Sequence, residues 1–443
     1  MSFSILCESC ITDSGETSRG GILEKAYDCE RKFGMKHIAI ISPGILPVPA
    51  TKGGAVESLL TFLAEENEKV EGVKFDLFSI SAGEPNTKIY KNTAVYEVKK
   101  SAFTALSDKI ADKIYRTLPG DVSAKRFFDK TIISVVKKVL ATAQYRYDAI
   151  VVENQMSLAV KVIESGLAGD CPVFFHMHND VDIYRSPYYC RELAAKGVTF
   201  ICVSEYIKNS VQKWAPDANI KVLYNGTDTN IFDYELNKNR DMVREELGIA
   251  PEETVFLYSG RIIRQKGVSE LIDAYEAFLK KNKGASSRLL IVGLGDIPTK
   301  YEKHIIEKCT KVGDNILYHK KVDAKRMAEI VACADVVTIP TMDEEPFGMV
   351  AIEAMAMGKP VIATESGALC ELLTGDNAVL VPKDENLIGG LSEGFRALMD
   401  AHLREKLGKG SVNLFVEKGE WHKDSFYRNF CELLGIIHEC KAL

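Results

Sequence analysis

Two carboxylates eight residues apart, Glu345 and Glu353, bracket the run Pro346-Phe347-Gly348-Met349-Val350. Proline suits the first helical turn, where its missing N–H costs nothing, so a helix is expected to open at Pro346. The free N–H groups of roughly Phe347 to Val350 would then form an anion site worth about half a positive charge. A diphosphate fits there. Carboxylates do not bind phosphate, but they accept hydrogen bonds from pairs of hydroxyls, so one can read a sugar and the other a ribose. The competing reading has Glu345 capping the helix and Glu353 on its solvated face. A second pair, Arg261 and Lys266, lies in Phe256-Leu-Tyr-Ser-Gly-Arg261-Ile-Ile-Arg-Gln-Lys266-Gly267. Arg261 offers a planar fork and Lys266 a point charge, five residues apart at a strand end. They can also be ordinary surface cations.

Three further segments carry polar chemistry. Gly53 and Gly54 precede a helix and would let the backbone approach a phosphate or sugar closely, or they make a plain turn. Val173-Phe-Phe-His176-Met-His178-Asn179-Asp180 ends a strand; imidazole there can donate to sugar hydroxyls or help move a proton. His178 is the candidate, with His176 read as a satisfied core residue, and strand-end Glu153 and Asn154 as groups that could touch an acceptor. Asp180 and Asp182 have metal-ligand spacing without a supporting context, and no metal is expected. Gly293-Leu-Gly295-Asp296 follows a strand, a weak dinucleotide fingerprint taken alone.

These groups need a scaffold that delivers strand ends to one edge. From Met35 on, apolar runs of strand length alternate with longer amphipathic stretches, the pattern of parallel sheets flanked by helices. Strands are expected near 37–42, 74–79, 148–153, 173–176, 198–203 and 220–224, then at 255–259, 288–292, 316–319, 336–340, 360–364 and 378–381. Helices are expected over 55–66 and from Val268, whose apolar residues Val268, Leu271, Ile272, Tyr275, Phe278 and Leu279 share one face. The polar stretch through residue 246 reads as a linker. Each half is therefore an α/β doubly wound sheet, binding ligand beyond the carboxyl ends of its strands and in a cleft between two facing sheets. The domain boundaries are 1–34, a disordered tail or start-site artefact; 35–228 and 229–425, two Rossmann-like domains; and 426–443, a C-terminal helix.

Bulk properties exclude several classes. With 443 residues, 46% hydrophobic and 27% charged, the chain can bury large cores. Its net charge of -6 gives no electrostatic footprint for nucleic acid. Eleven cysteines, mostly inside apolar runs, read as reduced core residues of a cytoplasmic protein, and Cys7 with Cys10 as coincidence. No run reaches the ~20 apolar residues of a membrane span and the start lacks a secretory pattern. Between Lys99 and Lys138, however, ten basic residues stand against four acidic ones. Interleaved apolar residues make this either a peripheral contact with anionic lipid or a solvated helix face.

The run from Glu345 to Ala363 resembles the signature of glycosyltransferase family 4, and the Arg261–Lys266, Gly53–Gly54 and His178 segments occur in that family's order over about 35–425. The resemblance implies the GT-B fold, two Rossmann-like domains facing across a cleft, and a retaining enzyme that moves a sugar from a nucleoside-diphosphate sugar to a glycan, lipid-linked or small-molecule acceptor. It implies that Glu345 contacts the donor sugar and Glu353 the ribose, that Arg261 and Lys266 neutralise the diphosphate without a metal or cofactor, and that Gly53, Gly54, Gly293 and Pro346 to Val350 line the donor. The context of Gly53-Gly54 is also similar to spore-coat members of the family. An epimerase of the same fold, or an assembly partner that binds sugar nucleotide without turnover, are the alternatives.

Overall fold

The computed structural model describes residues 34–51, 53–83, 88–101, 104, 106–108, 110, 127–143, 145–182 and 187–436. The tail expected over 1–34, the pair Cys7 and Cys10, and Lys109, Lys113, Arg116, Lys125 and Arg126 of the basic stretch lie outside the described residues, Gly34 excepted.

The chain divides into two compact units. One comprises residues up to 203, 207–224 and from 423 onward; the other comprises 204–206 and 225–422. In the first unit, β1 (Lys36–Ile41), β2 (Val73–Ile80), β3 (Thr93–Val98), β4 (Ala149–Glu153), β5 (Val173–Met177), β6 (Thr199–Cys202) and β7 (Asn219–Val222) form one parallel sheet in the order β3-β2-β1-β4-β5-β6-β7. Runs such as Ala-Ile-Val-Val-Glu in β4 are buried throughout, as expected of strands covered on both faces. Helices α1 (Ala55–Asn67), α2 (Phe127–Thr142), α3 (Met156–Glu164), α4 (Pro187–Ala195) and α5 (Glu205–Trp214) connect them. Strand β3 was missed from sequence. It sits at the sheet edge with exposed Ala94 and Glu97, and half-wetted edge residues weaken the apolar signal.

In the second unit the strands are β8 (Thr254–Ser259), β9 (Ser287–Leu294), β10 (Ile316–Lys320), β11 (Val336–Ile339), β12 (Val361–Thr364) and β13 (Ala378–Val381). All are parallel, in the order β10-β9-β8-β11-β12-β13. Helices α6 (Arg240–Glu246), α7 (Val268–Lys281), α8 (Lys300–Val312), α9 (Ala324–Cys333), α10 (Met349–Ala356), α11 (Leu369–Leu372), α12 (Leu387–Ala397) and α13 (Ala401–Lys418) follow. The α7 face is as expected, with Leu279 only partly buried. In both sheets the strand order reverses at one point, between β1 and β4 and between β8 and β11. Strand ends diverge there, leaving a crevice at the carboxyl edge.

The stretch expected to be a linker is folded. Tyr234–Asn239 forms a 3₁₀ turn and α6 follows it. Arg244 is fully buried, donating to the carbonyls of Cys333 (2.9 Å), Glu253 (2.7 Å) and Pro251 (3.1 Å) and to Asp335 Oδ2 (2.7 Å). Its charge hid it: a buried guanidinium that satisfies so many acceptors looks, in sequence, like a solvated one. After α13 the chain returns to the first unit as α14 (Lys423–Leu433), where Phe426 and Phe430 join the core beside Phe75 and Tyr427 donates to Asn67 Oδ1 at 2.8 Å.

Among the described residues no helix is long and apolar enough to cross a membrane. In α2, Phe128, Ile132 and Val136 are buried within the first unit, while Lys130, Ser134, Lys137, Lys138, Ala141 and Thr142 face solvent. Its apolar side is therefore not free to enter a lipid surface. The seven described free cysteines include five buried ones, while Cys171 is half-buried and Cys370 exposed.

Candidate active site

In the second unit the turn after β8 and the loop after β11 are tied together at the reversal point. Met342 N–H (2.8 Å) and Thr341 Oγ1 (3.2 Å) both donate to the Gln265 carbonyl. Gly267 adopts φ +67 and a Cβ there would lie 1.9 Å from the Pro340 carbonyl oxygen, so only glycine lets the two segments approach this closely. Lys266 and Glu345 are thereby brought together, Nζ to Oε2 at 2.5 Å. Glu345 is fixed from its other side: its N–H donates to Ser366 Oγ (3.1 Å) and its carbonyl accepts from Ala368 N–H (2.9 Å). Arg261 is exposed at the end of β8, and among the described residues its guanidinium has no recorded partner.

Helix α10 begins at Met349, not at Pro346. Gly348 takes φ +107 as the N-cap, a left-handed conformation incompatible with a helical residue, and a Cβ there would meet Leu369 at 2.6 Å. Pro346 and Phe347 therefore belong to the loop, and the free N–H groups at the helix start are those of Met349 and Val350, the N–H of Ala351 already donating to Gly348. Glu353 then lies little more than one turn inside the helix. It is half-buried, not on a solvated face, and burial alone pushes its carboxyl up to about 8. Among the described residues its carboxylate has no recorded partner.

Gly293, the penultimate residue of β9, has φ +145, and a Cβ there would fall 1.8 Å from the Gly260 carbonyl oxygen. This close approach shapes a cavity of about 460 Å³ lined by Arg261, Ile262, Ile263, Arg264, Gly293, Gly295, Thr299, Tyr301 and Glu302. Glu302 closes a capping box with Thr299 and also accepts from Gly295 N–H at 2.7 Å. Arg264 lies over the Tyr301 ring at 5.9 Å. Arg264 and Tyr301 escaped notice in the sequence; the Thr299-x-x-Glu302 capping pattern was the available signal.

The first unit holds the other candidates. Gly53 and Gly54 have φ +76 and +107 ahead of α1. A Cβ on Gly54 would lie 2.2 Å from Glu57 Oε2, whereas Gly53 has open space. The room Gly54 leaves is thus taken by the buried Glu57 carboxylate, whose pKa burial raises. His178 Nε2 is 2.9 Å from Glu153 Oε2, and His176 Nδ1 is 3.1 Å from the same oxygen. Burial lowers His178 to about 4. Burial works against the charge of Glu153, but the two imidazoles outweigh it and hold that carboxyl at about 2. The Glu153, His176 and His178 ligand atoms lie within 4.8 Å of one another, a spacing that could hold a metal. His176, read from sequence as a satisfied core residue, is buried and bonded to Glu153 through Nδ1, while its Nε2 has no partner among the described residues. The Asp180 and Asp182 carboxylates are engaged elsewhere, with Ser210 Oγ (2.7 Å), Lys213 Nζ (2.7 Å) and Trp214 Nε1 (2.9 Å).

Known proteins share this layout. Residues 239–411 match the family model of glycosyl transferases group 1, and residues 103–231 that of glycosyltransferase family 4. The chain is 26% identical over 305 residues to the lipopolysaccharide 1,2-N-acetylglucosaminetransferase of Salmonella typhimurium, covering 66% of this chain and 74% of that one. It is 25% identical over 390 residues to spore coat protein SA of Bacillus subtilis, covering 84% and 93%. The crystal structure of Anabaena HepE in complex with UDP-glucose superposes with a TM-score of 0.66 at 19% identity, over 90% of this chain and all of that one. Two parallel sheets of this order, joined to those matches, identify the chain as a member of glycosyltransferase family 4 and a glycosyltransferase of the GT-B fold.

Proposed function

We propose that the enzyme takes its sugar from a nucleoside diphosphate, with the anomeric configuration retained, and delivers it to a glycan or lipid-linked acceptor in cytoplasmic polysaccharide or glycoconjugate assembly. The observation that carries the donor assignment is Glu353. A half-buried carboxyl without a protein partner among the described residues, one turn inside a helix whose open N-terminus attracts anions, is placed to accept from a ligand's hydroxyls. A nucleotide supplies both the ribose diol for Glu353 and the phosphates for the helix start.

In this reading Arg261 and Lys266 take up the diphosphate charge, which makes a metal or cofactor unnecessary. Glu345, already held at Lys266, reads the donor sugar. Gly293 and the loop Pro346-Phe347-Gly348 with Met349 and Val350 line the donor. In the first unit Gly53 and Gly54 shape the loop after β1, and His178 contacts substrate hydroxyls. The relatives support the direction: the Salmonella protein is named for transfer within lipopolysaccharide, and HepE is seen with UDP-glucose.

Thermal melting with UDP, GDP, ADP and dTDP in EDTA tests the donor site. A nucleotide at 100 times its dissociation constant stabilises by about 2.7 kcal/mol, so one base is expected to raise the melting temperature without any metal. No rise with any of the four, or a rise only when divalent metal is restored, sinks this reading.

A further inference from the structure

We infer that Glu153 and Asn154 are positioning residues that lock His178 in the Nε2–H tautomer, so that the ring meets a substrate hydroxyl as a hydrogen-bond acceptor through Nδ1. The inference rests on the placement of His178 at substrate hydroxyls. The tautomer follows from the partners. Glu153 is fully buried at the end of β4. An ionised carboxylate accepts hydrogen bonds and cannot donate them, so each nitrogen facing it must carry the proton. His178 Nε2 at 2.9 Å and His176 Nδ1 at 3.1 Å are therefore both N–H donors. One buried negative charge is satisfied by two imidazoles, and His178 keeps a single lone pair, on Nδ1. Burial and the neighbouring His176 lower the ring's pKa against the opposing pull of Glu153. The neutral ring therefore accepts a hydrogen bond where a protonated ring would donate one. The titratable groups around it are Glu153 on β4 and His176 on β5, with Glu153 in turn raising Glu57 of α1.

Asn154 supplies an independent sign. Among the described residues it is the non-glycine residue at positive φ, +47, a conformation that costs free energy and persists where neighbours enforce it. Its N–H donates to the His176 carbonyl at 2.8 Å. Its side-chain oxygen accepts from the His178 N–H (3.2 Å) and from Asn179 Nδ2 (3.1 Å). One residue of the β4 end thus fixes the backbone of His178 while its neighbour fixes the ring. Two adjacent side chains converging on one histidine just past a strand end fit a substrate group better than a packing group. Zinc on the same three residues fits less well. Coordination through Nδ1 would leave the proton of His176 on Nε2, a buried nitrogen without an acceptor.

Nitrogen-15 NMR of the full-length, histidine-labelled protein tests this. The expected wild-type spectrum shows His178 neutral with Nε2 protonated from pH 5 to 8. Glu153→Gln, whose amide can donate as well as accept, is expected to give a mixture of tautomers. Asn154→Gly, which relieves the backbone strain, is expected to keep the tautomer and broaden the His178 resonances. Molar glycerol, a small hydroxyl probe, should move the His178 Nδ1 resonance more than those of exposed His304. A wild-type ring protonated on Nδ1, a tautomer unchanged in Glu153→Gln, a shift of both ring nitrogens by added zinc, or no response to glycerol would each overturn the inference. Nucleotide-induced melting shifts on the same variants separate the two readings. Their loss in wild type defeats the donor assignment, whereas their retention alongside a wrong tautomer defeats only this one.

Discussion

The polar clusters of the two units are built on opposite principles. In the first unit the Glu153 charge is fully satisfied by the chain itself, with two imidazoles donating to one buried carboxylate. In the second, Lys266 and Glu345 pair with each other, yet Arg261 stands exposed and Glu353 is half-buried, neither with a recorded partner among the described residues. The difference teaches how to read such clusters. A satisfied network fixes geometry, while groups without protein partners, a cation here and a carboxyl there, are open to a ligand. The incomplete cluster also sits on the tighter scaffold, where Gly267 and Gly293 let carbonyls approach to distances no side chain would allow.

The comparison breaks most readily at Lys266. If the second unit is where charge develops, Lys266→Ala should lower kcat/KM about 10²–10³-fold, or roughly 3–4 kcal/mol, as removal of one preorganised charge partner does. Its melting temperature should hardly move, because a partly exposed ion pair contributes about 0–1 kcal/mol. Steady-state rates and a melt on the same sample decide. A variant with full activity would remove Lys266 from the site.

In the first unit the corresponding test is pH. His178 has a folded pKa lowered to about 4 from 6.5, so the unfolded chain binds the proton more readily between those values. The stabilisation from its neutral form is complete above pH 6.5 and is lost as pH falls toward 4. Glu153, lowered to about 2 from 4.5, keeps its contribution above 4.5 and loses it only as pH falls through 2. Urea unfolding of wild type and His178→Gln should therefore differ by on the order of 3 kcal/mol more at pH 7 than at pH 4. A pH-independent difference would mean that the ring is not buried as a neutral group.

Much of this was legible in sequence, and the failures have physical causes. Fully buried parallel strands announce themselves because both faces are apolar, as in β4 and β8. The edge strand β3 and the charged helix α6 did not, since one is half-wet and the other hides its guanidinium among carbonyls. The Glu345-to-Glu353 spacing pointed to the right helix, but its start was misplaced by three residues. Proline marks a fixed φ, whereas the stop here is the left-handed Gly348, whose conformation depends on what Leu369 packs against. The Glu153–His176–His178 cluster was invisible as a unit. Parallel register, Glu153 opposite His176, makes neighbours of residues more than twenty positions apart, and no local spacing encodes that.

The smallest expected effect sharpens the comparison furthest. Glu353→Gln keeps size and removes the titration. In wild type the folded carboxyl holds its proton up to about pH 8, while the unfolded chain gives it up near 4.5, so Glu353 costs stability increasingly as pH rises between those values. Gln should lessen that loss. A ribose diol that donates to the carboxyl favours the ionised form and lowers its pKa, so binding must release a proton below pH 8. Nucleotide affinity should then rise as pH climbs from 6 to 8 and level off above it, with the released proton visible calorimetrically as a dependence of binding heat on buffer. The Gln variant should bind more weakly by about 1–2 kcal/mol at pH 8 and lose the pH dependence altogether. If wild-type affinity were flat over that range while the nucleotide still bound, Glu353 would lie outside the ligand's hydroxyls, and the second unit's cluster would be incomplete for a reason other than the ribose.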